Sequence, residues 1–183
     1  DTPATHDMRT PMPAPSPFGQ GLANSTADGA GIRLEQLKAP TNDDIAAITR
    51  LWIATGLIPA IRDARQDIEN CIAADNGSLI VARMPDDQQI FATMMTGHDT
   101  VFGWIHYLAI AEHAQGGGIG RELVTLAEDI LRLSGLSEIR ITIENAAAGD
   151  FYAKLGYDFI ASVTDQADPD PHQNKIMRKS LDQ

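Results

Sequence analysis

The apolar residues of this chain recur with two periods, and segments of each kind alternate from residue 32 to the C-terminus. Alternating or continuous apolar runs predict β-strands, whereas apolar residues three or four positions apart predict helices. Turn-forming pairs such as Asn76-Gly77 and Asp86-Asp87 separate the segments. The predicted order is strand 32–37, a helix between Thr41 and Gly56, helix 62–74, strands 78–84, 89–96 and 104–112, helix 119–134, strand 138–144, helix 147–155, and strands 157–163 and 173–181.

One stretch, residues 107–123, combines a strand, a glycine-rich loop and the first turn of a helix. The apolar run 108–110 has strand character, and glycines follow at positions 116, 117, 118 and 120. Glycine lets a ligand approach the backbone closely, and the free N–H groups at a helix N-terminus attract an anion, most often a phosphate. The stretch therefore predicts a phosphate-binding loop.

Two common phosphate motifs do not fit this loop. A P-loop requires Gly-Lys-Ser/Thr, but Gly120 is followed by Arg121 and Glu122. A dinucleotide fingerprint requires G-x-G-x-x-G, and no spacing of these glycines supplies the third one. The pattern that fits is Q/R-x-x-G-x-G/A, carried by Gln115, Gly118 and Gly120.

A second block follows this loop in the sequence, Asn145-x-x-Ala148-x-x-Phe151-Tyr152-x-x-Leu155-Gly156-Tyr157. Together the two blocks resemble the acetyl-CoA loop and the N-x-x-A-x-x-F/L-Y-x-x-L-G-F/Y element of the GCN5-related N-acetyltransferase (GNAT) superfamily. The resemblance covers roughly residue 32 to the C-terminus. It implies an α/β fold with a central mixed sheet, mostly antiparallel, of about seven strands. That sheet is splayed between its fourth and fifth strands and is accompanied by about four helices.

Within the superfamily the chain is most similar to the bacterial YpeA-like group. The similarity lies in Gly56-Leu57, in Asp63 with Asp67-Ile68-Glu69, and in Gly97-His98-Asp99 with Gly103-Trp104. The chain departs from that group at Ala60-Ile61-Arg62, where Pro-Trp-Asn would be expected. It also departs in the first turn of the last helix. There Gly149-Asp150 stands in place of an apolar and a small residue, and the join before Asn145 is about two residues shorter. These last two departures border the acceptor pocket, so the resemblance does not identify the acceptor.

The domain organisation is predicted to be simple. Five prolines lie in the first seventeen residues, and no hydrophobic period is visible there. We therefore expect a disordered or surface-draped tail at residues 1–30 and a single acetyltransferase domain at 31–183.

The single cysteine, Cys71, excludes an intramolecular disulfide and suits a reducing compartment. Since no membrane span or secretion signal is evident, we expect a cytoplasmic protein.

The formal net charge of −11 narrows the possible partners. It argues against nucleic acid, whose binding depends on Lys and Arg neutralising phosphates. It weakly favours a cationic acceptor such as an amine. We expect acetyl-CoA and an amine acceptor as partners, no nucleic acid and no membrane, and the family allows a homodimer.

The resemblance implies acetyl-CoA as the cosubstrate. In the family the central strand pairs with pantetheine and turns a free N–H toward the thioester carbonyl, a role that falls here on the amides of Leu108 and Ile110. The loop amides hold the pyrophosphate, although Gly117 stands where the family often has arginine. Asn145 either bonds pantetheine or caps the helix. The residues implied in binding the cosubstrate are Leu108, Ala109, Ile110, Gln115, Gly116, Gly117, Gly118, Ile119, Gly120, Arg121, Asn145 and Tyr152.

Two residues are candidates for catalysis. The tyrosine equivalent to Tyr152 can protonate the leaving thiolate in this family, a general-acid role. His106 is a candidate base, because strand alternation would put Trp104, His106 and Leu108 on one face, toward the splayed site, and Tyr107 on the other. Alternatives remain for the base: Glu144, His98 and Asp99, or deprotonation through water.

Other reactive side chains have simpler interpretations. Cys71 falls on the apolar side of a predicted helix and is expected to be a buried small hydrophobe rather than a nucleophile. His6, His113 and His172 lack metal-ligand spacing, so no metal is predicted.

Three functions are therefore compared. The first is an acetyl-CoA-dependent N-acetyltransferase that acts on a small amine or on a protein N-terminus or lysine by direct attack in a ternary complex. The second is a non-catalytic module that senses acyl-CoA. A nucleotide-binding protein is disfavoured, because the loop lacks the Lys-Ser/Thr step.

Overall fold

The computed structural model of the chain describes residues 32–143, 145–162 and 175–182. The predicted tail, residues 1–30, lies outside the described residues, and so does Glu144. The elements are β1 (Arg33–Gln36), α1 (Asn42–Ala54), α2 (Arg65–Ala73), β2 (Gly77–Arg83), β3 (Ile90–His98), β4 (Gly103–Ile110), a 3₁₀ turn (Glu112–Ala114), α3 (Ile119–Leu133), β5 (Glu138–Ile143), α4 (Ala146–Lys154), β6 (Asp158–Ser162) and β7 (Lys175–Ser180). The predicted element order is confirmed.

The strands form one mixed sheet in the order β1-β2-β3-β4-β5-β7-β6. Neighbours are antiparallel except β4 and β5, which are parallel. Over the described residues this parallel pair has only two register partners, Gly103↔Ile139 and Trp104↔Arg140. Beyond them the two strands diverge. The predicted fold class, including the splay between the fourth and fifth strands, is confirmed.

Local signals set where the first two helices begin. Thr41 caps α1 through a capping box with Asp44, whose carboxylate accepts from the Thr41 N–H at 2.9 Å. The second helix starts at Arg65, three residues later than predicted, because the Asp63 carboxylate accepts a hydrogen bond from the Arg65 N–H at 2.9 Å. Arg62 therefore lies in the turn before α2 instead of inside the helix.

Two apolar cores lie on opposite faces of the sheet. Helices α3 and α4 cover one face, where Leu123 of α3 packs with Ile139 of β5 and Ile105 of β4. Helices α1 and α2 cover the other face, where Trp52 and Ile68 pack with strand residues. We call these the α3/α4 face and the α1/α2 face. Because the first core contains residues from both sides of the splay, it holds the two halves of the sheet together.

A β-bulge in β4 changes which face each of its side chains occupies. Thr93 pairs with Ala109 while Met95 pairs with His106, so β4 holds one extra residue against β3. At the bulge Tyr107 adopts φ +51°, in the left-handed region. As a result Tyr107 joins Trp104 on the α1/α2 face, and Leu108 packs on the α3/α4 face. The prediction that Trp104, His106 and Leu108 share a face is therefore wrong for Leu108, and so is the placement of Tyr107 on the opposite face.

None of the helices within the described residues is both long and apolar enough to cross a bilayer.

Candidate functional site

A cleft of about 980 Å³ opens where β4 and β5 diverge. Its walls come from β4, the glycine loop, α3, β5, α4 and the segment between α1 and α2. Apart from Gly117, every predicted site residue lines it: His106, Leu108, Ala109, Ile110, Gln115, Gly116, Gly118, Ile119, Gly120, Arg121, Asn145 and Tyr152. Residues that are as far apart in sequence as His106 and Tyr152 are thus brought to one cavity.

The glycine loop delivers an uncapped helix N-terminus to this cleft. Gly116 and Gly118 have φ values of +84° and +86°, a conformation that only glycine adopts without strain. Gly118 is the N-cap of α3, and among the described residues no side chain caps this helix. Its first N–H groups and its positive dipole end therefore suit a phosphate, so the loop fits the pyrophosphate of CoA.

A close approach between the loop helix and the strand requires glycine at position 120. A Cβ built there would lie 3.0 Å from Ile110 Cδ1 and 3.2 Å from Phe151 Cζ. This contact holds the N-terminus of α3 against β4 and α4. Gly117, in contrast, is exposed and has an ordinary φ, which agrees with its position outside the cleft.

The backbone of β4 presents polar groups to the splay. The Ala111 N–H donates to the Phe91 carbonyl at 2.8 Å, so the alternation of an antiparallel ladder directs the Ile110 N–H away from β3. The Ile110 carbonyl accepts a hydrogen bond from Gln115 Nε2 at 2.9 Å. Gln115 thereby ties the glycine loop to the strand, and the Ile110 amide faces the opening toward β5.

Tyr152 is buried with its ring between two aromatic neighbours. The Phe151 ring lies 5.0 Å away and the Tyr157 ring 5.3 Å away, both edge-on. No described residue makes a hydrogen bond to the Tyr152 hydroxyl, although the residue lines the cleft. Burial raises the pKa of the phenol above its ordinary value of about 10. The hydroxyl therefore stays protonated at neutral pH and can donate a proton.

Asn145 caps α4. Its Oδ1 accepts a hydrogen bond from the Ala148 N–H at 2.8 Å, and its backbone is extended. Of the two predicted roles, capping is thus observed. Basic side chains stand near the two helices on this side of the cleft, Arg121 in the first turn of α3 and Lys154 at the end of α4.

His106 faces the cleft from the α1/α2 face. It alternates along β4 with Ile105, which packs on the α3/α4 face, and its ring lies 4.9 Å from that of Trp104. The residue is exposed, but the protein around the ring removes enough water to lower the pKa of the imidazole below its ordinary value of about 6.5. His106 is therefore mostly neutral at pH 7 and able to accept a proton.

The other candidate bases lie elsewhere or cannot be described. His98 is the last residue of β3 and Asp99 begins the following loop, and neither residue lines the cleft. The Asp99 carboxylate accepts from the N–H groups of Val101 and Phe102 at 2.6 and 2.9 Å, which orders that loop and lowers the pKa of Asp99. Glu144 lies outside the described residues.

Cys71 is buried in the core of the α1/α2 face, as predicted. Burial raises the pKa of its thiol to about 11, so the sulfur stays protonated and poorly nucleophilic at neutral pH. Among the described residues, no group of three or more His, Cys, Asp or Glu side chains is arranged to hold a metal ion.

Thr55, Leu57 and Arg62 form one wall of the cleft between α1 and α2 and are not among the predicted site residues. The predicted helix 62–74 includes Arg62, whereas the observed helix begins at Arg65. Asp63 is the residue in the sequence that could have indicated this. Aspartate favours the starts of helices, and a helix that starts at Asp63 leaves Arg62 outside it.

Comparison with known proteins identifies the architecture. The sequence profile of the Acetyltransferase (GNAT) family matches residues 45–157. A structure from Desulfovibrio desulfuricans assigned to GNAT acetyltransferases has 20% identity and a TM-score of 0.68, covering 82% of this chain and 99% of its own. An aminoglycoside 6'-N-acetyltransferase complexed with coenzyme A has 12% identity and a TM-score of 0.66, covering 81% of this chain and 96% of its own.

A third structure is N-acetylglutamate synthase from Neisseria gonorrhoeae, complexed with coenzyme A and N-acetyl-glutamate. It has 22% identity and a TM-score of 0.60, with 82% of this chain matching 35% of the synthase. At these identities the likeness shows the fold. No curated protein sequence matches the chain significantly.

Proposed function

The chain belongs to the acetyltransferase (GNAT) family, and from this premise we propose that it is an acetyl-CoA-dependent N-acetyltransferase acting on a primary amine. Direct attack in a ternary complex is the proposed route, with a small molecule or a protein N-terminus or lysine as the acceptor class. Membership in the YpeA-like group is part of the proposal and rests on the motifs around Gly56, Asp67 and Gly97.

The observation that carries the proposal is the convergence of three features on one cleft. The strands β4 and β5 separate beyond their two register pairs, the α3 N-terminus is uncapped by described side chains, and the Tyr152 hydroxyl has no described partner. The first feature gives a slot for an extended pantetheine, the second attracts its pyrophosphate, and the third offers a proton at the end of the slot.

The proposed chemistry assigns one task to each group. When bound, acetyl-CoA supplies the thioester: the amine nitrogen bonds to its carbonyl carbon, the carbon–sulfur bond breaks, and one proton passes in net from nitrogen to the departing sulfur. The Ile110 N–H, directed away from β3, and the neighbouring Leu108 amide stabilise negative charge on the carbonyl oxygen. His106 accepts the amine proton, and Tyr152 donates a proton to sulfur.

The proposed partners are acetyl-CoA and the amine alone, without nucleic acid, membrane or metal, and a homodimer is consistent with the family. The cytoplasm is the proposed location, because the single buried cysteine suits a reducing compartment.

Calorimetric titration with acetyl-CoA, CoA, ATP and NAD in parallel tests the binding half of this proposal. Micromolar affinity for acetyl-CoA and CoA, with none for ATP or NAD, is expected. Gly118→Ala should weaken acetyl-CoA binding, because a side chain at φ +86° costs about 1–2 kcal/mol and shifts the loop. Gly117→Ala is the matched control and should bind as tightly as the wild type.

Release of CoA thiol in the presence of an amine panel tests the catalytic half. Binding of ATP or NAD in place of acetyl-CoA would contradict the cosubstrate. Tight acetyl-CoA binding with no acetylation of any amine or peptide would instead favour a non-catalytic acyl-CoA sensor.

A further inference from the structure

We propose that the acceptor carries a carboxylate close to its amine, as an amino acid does, and that Arg62 binds this carboxylate. The inference rests on the proposed acetyltransferase function and specifies the substrate class of the same cleft. Its basis is the sign and position of the charges that line the cleft.

The ionised side chains lining the described part of the cleft are all cationic: Arg62, Arg121 and Lys154. Two of them, Arg121 and Lys154, stand on the α3/α4 face, beside the helix N-terminus that suits the phosphates of CoA. Arg62 stands apart from them, in the turn between α1 and α2, which cover the opposite face. Arg121 and Lys154 are thus placed to bind the phosphates of CoA, whereas Arg62 is placed to bind the acceptor.

Arg62 is held in position by an acidic neighbour outside the cleft wall. Its Nη2 lies 2.6 Å from Asp67 Oδ2, and the same oxygen accepts from the Tyr107 hydroxyl at 3.2 Å. The Arg62 side chain remains 49% exposed, against 23% for Asp67. A guanidinium has five N–H donors in a planar fork, so one contact with Asp67 leaves donors able to bind a second carboxylate in two-point fashion.

The amine end of such an acceptor has a matching partner. His106 lines the cleft from the α1/α2 face, the side on which Arg62 also stands, and its lowered pKa keeps the ring neutral. A molecule that bonds its carboxylate to Arg62 can direct its amine toward His106 and the splay.

A polycationic acceptor does not fit this wall. Amines such as polyamines need carboxylates to offset their charge, and no Asp or Glu is among the described lining residues. The net charge of −11 suggests a cationic substrate, but it is spread over the whole chain, while the ionised side chains among the described lining residues are cationic. Local charge within a few ångströms decides recognition, because distant surface charges are screened.

The acceptor test pairs each of the common α-amino acids with its own carboxamide and adds 1,4-diaminobutane as a cationic probe. Thiol release is measured with saturating acetyl-CoA. We expect kcat/KM for at least one amino acid to exceed that for its carboxamide by tenfold or more. The amine of the carboxamide is less basic, so a larger fraction of it is unprotonated at neutral pH, which favours acetylation of the carboxamide. A preference for the amino acid therefore reports binding of the carboxylate.

The variant Arg62→Gln should raise KM for the preferred amino acid at least tenfold and leave KM for acetyl-CoA unchanged. Arg62→Lys should recover part of the loss, since lysine keeps the charge but not the fork. Arg65→Gln is the matched control, because Arg65 begins α2 three residues after Arg62, pairs with Glu69 and does not line the cleft. Calorimetric titration of the amino acid onto CoA-saturated protein gives the same comparison without turnover.

Each outcome separates the two proposals. Equal or faster turnover of carboxamides or the diamine, or an unchanged KM in Arg62→Gln, would overturn the carboxylate inference and leave the acetyltransferase proposal intact. Absence of turnover with every amine, despite acetyl-CoA binding, would overturn the proposed activity and this inference with it.

Discussion

At the scale of single residues, two buried tyrosines differ in whether a described residue makes a hydrogen bond to the hydroxyl. The rings of Tyr152 and Tyr157 lie 5.3 Å apart, and burial raises the pKa of both phenols. The Tyr157 hydroxyl donates to Glu128 Oε1 at 3.1 Å, and Lys179 Nζ lies 3.0 Å from the same carboxylate. Tyr152 lines the cleft, and no described residue makes a hydrogen bond to its hydroxyl. The Tyr157 hydroxyl therefore supports the fold, and the Tyr152 hydroxyl is the one we propose to act on the substrate.

Replacing each tyrosine by phenylalanine should give opposite results. Tyr152→Phe should lower kcat by roughly 10²- to 10⁴-fold, the usual contribution of a general acid, with little change in stability or acetyl-CoA affinity. Tyr157→Phe should keep most of kcat but lower the free energy of unfolding by about 1–3 kcal/mol, because it removes a hydrogen bond from a buried carboxylate. Steady-state kinetics and urea unfolding of both variants measure this. Unchanged turnover in Tyr152→Phe would remove Tyr152 from the mechanism.

The pH dependence of turnover should report His106. Its pKa lies below about 6.5, so the ring is neutral above that pH and becomes protonated only in more acidic buffer. The ratio of wild-type kcat/KM to that of His106→Gln should be large and flat above pH 7 and fall as pH drops through the lowered pKa. Taking the ratio cancels the titration of the acceptor amine. His98→Gln, outside the cleft, is the control and should keep the wild-type profile. A constant ratio at all pH values would favour deprotonation through water.

The position of a single residue can be predicted from the sequence where it depends only on neighbouring residues. The predicted capping role of Asn145 is observed, because a helix cap needs only the next three residues. Arg62 was missed as a cleft residue because its position depends on how the turn after α1 folds back against β4, a contact that no period in the sequence encodes.

At the scale of elements, β4 is where the pattern of side chains and the structure disagree. Strict alternation predicts one face for His106 and Leu108, but the bulge inserts a residue between them. A side-chain network supports the bulge: the Trp52 indole N–H donates to Thr93 Oγ1 at 2.8 Å, and that hydroxyl donates to the Tyr107 carbonyl at 3.1 Å. Thr93 and Trp52 come from other elements, so the sequence of β4 alone carries no sign of the bulge.

Thr93→Val should therefore destabilise the protein more than an ordinary threonine substitution. It would leave the Trp52 N–H and the Tyr107 carbonyl without this partner in a buried place, at a cost of roughly 2–4 kcal/mol. Thr96→Val is the matched control on the same strand. The Thr96 hydroxyl is also buried, but among the described residues it only donates to the Trp104 carbonyl, so the substitution should cost about 1 kcal/mol. Urea unfolding measures both. Equal losses would mean that the network does not stabilise the bulge.

At the scale of the whole molecule, the order of elements could be predicted because each strand and helix shows its own period. The order of the strands in the sheet could not, since pairing depends on contacts distant in sequence. The splay between β4 and β5 entered the prediction through the family resemblance alone. The structure supplies its physical consequence: two half-sheets share two register pairs, yet the core of the α3/α4 face includes Ile105 from one half and Ile141 from the other.

This shared core predicts that the two halves unfold together despite the splay. Both tryptophans, Trp52 and Trp104, belong to the half that ends at β4, so their fluorescence reports that half while far-UV circular dichroism reports the whole. We expect the two signals to change at the same urea concentration. Leu123→Ala, at a fully buried position in α3, should lower the free energy of unfolding by about 2–5 kcal/mol and shift both signals equally.

Leu133→Ala is the control in the same helix, because that side chain is 73% exposed and should shift neither signal appreciably. Fluorescence and dichroism transitions that separate in Leu123→Ala would show the half-sheets to be independent units. Coincident transitions would mean that the cleft is an opening within one cooperative structure. A ligand bound there would then stabilise both half-sheets at once, by an amount set by its concentration relative to its dissociation constant.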